Sequence, residues 1–79
     1  MSLEQQAKFW RSELRALAED DRTRADPFAV RLRSYDLAQR VVRKAQQAES
    51  PELARGLSHV SELIAAGHFS AARSALDTL

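Results

Sequence analysis

Twice in this chain a residue able to cap a helix stands directly before proline, as Asp26-Pro27 and as Ser50-Pro51. Asp or Ser there can accept a backbone N–H of the first turn, while proline supplies a pre-set φ at a position whose N–H has no helical partner anyway. Each pair therefore starts a helix. Ser2 is a further cap, with Gln5 at the capping-box position, and Gly67 can close a helix by taking the left-handed conformation. Only two glycines and two prolines occur, and they are expected at helix ends. The spacing predicts helices over residues 3–19, 27–48, 51–66 and 69–78. The fold class that follows is all-α: one small four-helix domain over residues 1–79, built as two helical hairpins.

The apolar pattern says what each helix needs. Leu3, Ala7, Trp10, Leu14 and Leu17 alternate at spacings of four and three, a narrow stripe suited to packing on another helix, with Phe9 off it. The pattern stops in Glu19-Asp20-Asp21-Arg22-Thr23-Arg24, which reads as a flexible loop. In the second helix Phe28, Leu32, Tyr35 and Val42 share one side, and Val30, Leu37, Val41 and Ala48 lie nearly opposite, joined through Ala38 and Ala45. Such a helix is expected to be central, touching two neighbours and showing water only the strip of Arg33, Asp36, Arg40, Arg43, Lys44 and Gln47. Leu53, Leu57, Val60 and Ile64 line the third helix; Phe69, Ala72, Leu76 and Leu79 line the fourth, where Ala71, Ala72 and Ala75 permit close approach.

At 79 residues there is room for one small core. A core of this size rarely supplies more than about 3–5 kcal/mol of net stability, so small chains usually need a staple. Without cysteine there is no disulfide, and the two histidines lie in separate segments, which gives no basis for a zinc site. Completion by oligomerisation is the remaining expectation. No apolar run reaches the length of a membrane span and the N-terminus lacks the pattern of a signal peptide, so a cytoplasmic location and no membrane contact are expected. Ten arginines among twelve basic residues, with fourteen alanines, fit a GC-rich bacterial genome.

Residues 53–79 carry Gly67-His68-Phe69-Ser70-Ala71-Ala72 at their turn, and Tyr35, Ala38, Val42 and Ala45 echo Phe69, Ala72, Leu76 and Leu79 at the 34-residue period. The segment resembles a tetratricopeptide hairpin. The resemblance implies that Gly67 permits the tight turn, that Phe69 packs on the preceding helix, and that Ala72 lies where the two helices come closest. The earlier copy departs from the pattern: Arg33 stands where the glycine belongs, and Pro27 interrupts the first helix.

Neither an enzyme nor a cofactor is expected. Ser58 and His59 are adjacent on a helix and so point apart, which denies them the geometry of a nucleophile and its base. His68 stands at a cap position, and there is no phosphate loop and no metal-ligand spacing. Aromatic residues at Phe9, Trp10, Phe28, Tyr35 and Phe69 are of the kind that anchor protein interfaces. The function expected is a small non-enzymatic interaction module, an adaptor or chaperone-like subunit, that binds a partner helix or itself. The apolar residues assigned to that contact are Phe9, Trp10, Leu14, Leu17, Val30, Leu37 and Val41. The alternative is a helical nucleic-acid-binding regulator. Residues 22–44 carry seven basic against two acidic side chains, and Arg33, Arg40, Arg43 and Lys44 form a ridge suited to phosphates or an acidic partner.

Overall fold

The computed structural model describes residues 2–79. It consists of α1 (Leu3–Arg22), α2 (Pro27–Gln47), α3 (Pro51–Ala65) and α4 (Phe69–Asp77), with no strand among the described residues. The expected caps are all formed at the first three starts. The Ser2 hydroxyl accepts from Gln5 N at 3.2 Å while Ser2 N donates to the Gln5 side chain at 3.3 Å. Asp26 Oδ1 accepts from Phe28 N and Ala29 N, at 3.2 and 3.3 Å, and Ser50 Oγ accepts from Leu53 N at 3.4 Å. His68 precedes α4, but its side chain makes no capping bond.

The end of α1 corrects the sequence expectation. The charged stretch from Glu19 is helical through Arg22, and the loop is confined to the residues before Pro27. Polarity marks exposure here rather than a break. Arg22 forms a two-point pair with Glu19, at 2.5 and 3.3 Å, whose hydrogen bond and charge hold the guanidinium above its ordinary pKa. The helix then closes as a Schellman motif: Ala25 N donates to Asp20 O at 3.0 Å, Arg24 N donates to Asp21 O at 3.3 Å, and Arg24 takes a left-handed φ of 57°. The end of α3 is built the same way. His68 N donates to Leu63 O at 2.9 Å, Gly67 N to Ile64 O at 3.0 Å, and Gly67 has φ 83°. The other glycine, Gly56, departs from the expectation that glycines mark ends, because it lies within α3.

Each helix packs on two others, closing a ring in chain order. The α2–α3 contact is the most extensive, followed by α3–α4, α1–α4 and α1–α2. The core takes Trp10, Leu14 and Leu17 from α1, Val30, Leu37, Ala38, Val41 and Ala45 from α2, Leu57, Val60 and Ile64 from α3, and Phe69, Ala72 and Leu76 from α4. Small Ala38 and Ala45 let α2 and α3 come close enough for Ser61 Oγ to donate to the Ala38 carbonyl at 3.0 Å, a buried link between the two helices. Arg33 bridges to Asp20 at 2.6 Å and Arg11 to Asp77 at 3.4 Å, tying α1 to α2 and to α4 across the surface.

Candidate functional site

Because α2 is flanked by only α1 and α3, one of its two apolar faces has no neighbour. Val30, Leu37 and Val41 enter the core, as do Ala38 and Ala45. On the other side Phe28, Leu32 and Tyr35 stand in solvent, 70%, 56% and 63% exposed. Their spacing of four then three aligns them along one edge of the helix. The row continues through exposed Gln39, half-buried Val42 and exposed Gln46. Arg31 and Asp36 border it. Asp36 accepts an ion pair from Arg40 at 3.1 Å, whereas Arg31 has no ion-pair partner among the described residues. The expectation that α2 shows water only a basic strip is thus corrected: it shows an apolar row as well.

Six of the seven apolar residues assigned to partner contact serve the chain's own core. Trp10, Leu14, Leu17, Val30, Leu37 and Val41 are buried in the core, whereas Phe9 is 52% exposed. The large apolar residues of α2 that are exposed, Phe28, Leu32 and Tyr35, are legible in the sequence as an apolar face. Periodicity alone does not tell which of two opposed faces finds a neighbour.

The basic ridge is also rearranged. Arg33 is turned to Asp20 of α1, leaving Arg40, Arg43 and Lys44. These three border a groove of about 750 Å³ between the start of α1 and the end of α2, with Gln5, Gln6, Phe9, Trp10 and Gln47 as its other walls. The buried Gln6 Oε1 has no hydrogen-bond partner among the described residues. Arg40 is partly neutralised by Asp36, so the groove is cationic chiefly at Arg43 and Lys44.

His59 on α3 and His68 before α4 are both exposed, and no group of three or more metal-binding side chains occurs among the described residues. Among the described residues no helix is long and apolar enough to cross a membrane. No protein-family model, curated protein or solved structure matches the chain.

Proposed function

We propose that this protein is a small non-enzymatic interaction module whose binding surface is the outer face of α2. The observation that carries the reading is the row Phe28, Leu32 and Tyr35, three large apolar side chains more than half exposed on a helix whose opposite face is already buried. Two aromatic residues and a leucine at spacings of four and three are the anchors by which one helix seats against another. A folded chain leaves such a row uncovered at a cost in water that a partner removes. The α3–α4 pair supports the likeness to a tetratricopeptide hairpin through three residues: Gly67 with its positive φ, and buried Phe69 and Ala72.

The test is uptake of a hydrophobic dye by the monomer at high dilution. Wild type is expected to bind dye, and Leu32→Glu/Tyr35→Glu, with unchanged helicity, is expected to lose most of that binding. A dilute monomer that binds no dye refutes the reading.

A second reading has its own observation, the groove in which Phe9 stands beside Arg40, Arg43 and Lys44, a combination that suits stacking and phosphate contact by a single-stranded nucleic acid. Its mark is a salt-dependent gel shift of DNA or RNA abolished by Arg40→Glu/Arg43→Glu. Those substitutions leave the apolar row intact, so partner association persists if the first reading holds.

A further inference from the structure

The row on α2 matches itself better than it matches a generic helix. Phe28, Leu32, Tyr35, Gln39, Val42 and Gln46 follow one another at spacings of four, three, four, three and four, the alternation of a two-stranded coiled-coil seam. All are at least partly open to solvent, and the seam follows α2 nearly to its end. We propose that the occupant of this face is a second copy of the chain, with the two α2 helices parallel and related by a two-fold axis. This deepens the interaction reading above and rests on it.

Three features of the row favour that partner and that direction. In a parallel pair every seam residue meets its own counterpart. Phe28, Leu32, Tyr35 and Val42 then face apolar side chains, and Gln39 and Gln46 face amides that can donate to and accept from each other. Reversing one helix over the full seam instead sets Phe28 against Gln46, Leu32 against Val42 and Tyr35 against Gln39, spoiling two of three layers.

The flanks agree. With Phe28 and Leu32 as successive seam positions, Arg31 borders the row on one side and Asp36 on the other, five residues later. In a parallel coiled coil that separation brings Arg31 to Asp36 of the partner subunit, twice per dimer by symmetry. Among the described residues Arg31 has no ion-pair partner, and Asp36 has one exposed contact, to Arg40, which is easily shared. A shorter antiparallel pairing centred on the three anchors places Arg31 against Arg31 of the partner subunit, which is repulsive.

The area is also sufficient. Phe and Tyr side chains carry roughly 200 Å² each, so the three anchors present on the order of 350 Å² per copy at their observed exposures. With the glutamines, Val42 and the flanking charges, two copies bury about 1,000 Å², the lower bound of a specific interface. An interface of that size is of the weak, reversible class rather than the permanent one.

Cysteine is absent from the chain, so Gln46→Cys is a single-thiol reporter at an exposed seam position. In the parallel pair the two thiols lie side by side. In the full-length antiparallel pair they are separated by about 27 Å along the helices, far beyond disulfide reach. Mild oxidation of Gln46→Cys is expected to give a covalent dimer, and adding Tyr35→Glu to reduce its yield about tenfold or more. Sedimentation of Arg31→Asp and of Asp36→Arg separately should show weakened self-association, and mixing the two should restore it as a heterodimer. Association without cross-linking and without rescue on mixing overturns the parallel arrangement. A chain that binds dye through the row yet stays monomeric at every concentration overturns self-association while leaving the interaction reading in place. A chain that does neither overturns both.

Discussion

Leu32 and Leu37 are the same residue five positions apart on one helix, and the structure assigns them opposite fates. Leu37 is 3% exposed among the core side chains, whereas Leu32 is 56% exposed. Truncating Leu37 to alanine removes its transfer free energy and leaves a cavity, a loss of about 2–5 kcal/mol. A chain of this length holds roughly 3–5 kcal/mol in its core, so Leu37→Ala stands near the limit of folding. At about 4–8 °C per kcal/mol the expected drop in Tm is roughly 8–40 °C. Leu32→Ala removes little that the monomer buries and places a good helix former in an exposed position, so in dilute solution its effect is expected within about 0.5 kcal/mol. The assay is thermal unfolding followed by circular dichroism at two protein concentrations well apart. Association binds the folded state only and therefore raises Tm with concentration. Wild type should show that rise, and Leu32→Ala should flatten it. If Leu32→Ala costs the dilute monomer more than about 1.5 kcal/mol, the row is packed within the chain, and the interaction surface inferred for α2 is lost with it.

Further substitutions probe the closures of the helices and their contacts, each read as a change in Tm. Arg24→Gly should stabilise by about 1 kcal/mol, because a left-handed φ strains a residue bearing Cβ, and Gly67→Ala should destabilise by a similar amount for the same reason, its surroundings being open. Gly56→Ala should gain about 0.5–1 kcal/mol from helix propensity, since the added methyl meets only the tip of the Leu79 side chain, which is half exposed and free to swing away. Ser61→Ala should cost about 1 kcal/mol, the worth of its hydrogen bond to Ala38, whose carbonyl keeps its place in the helical ladder of α2. Asp26→Ala removes the acceptor of two backbone bonds at the start of α2 and should also cost about 1 kcal/mol.

What the sequence by itself determined is local: the all-α class, the starts of α1, α2 and α3 and the closure of α3. Those follow from single residues acting on their own neighbours, as Asp26, Ser50 and Gly67 do. The end of α1 escaped because its left-handed position holds Arg24 rather than glycine, and because an exposed charged turn lacks the apolar period by which a helix is recognised. The tertiary structure alone decided which face of α2 is core. Both faces carry large apolar residues at helical spacing, and burial is settled by where neighbouring helices lie, a property of no single segment. Packing against α3 and α1 claimed Val30, Leu37 and Val41. Phe28, Leu32 and Tyr35 were left to solvent, and with them the surface on which the proposed function rests.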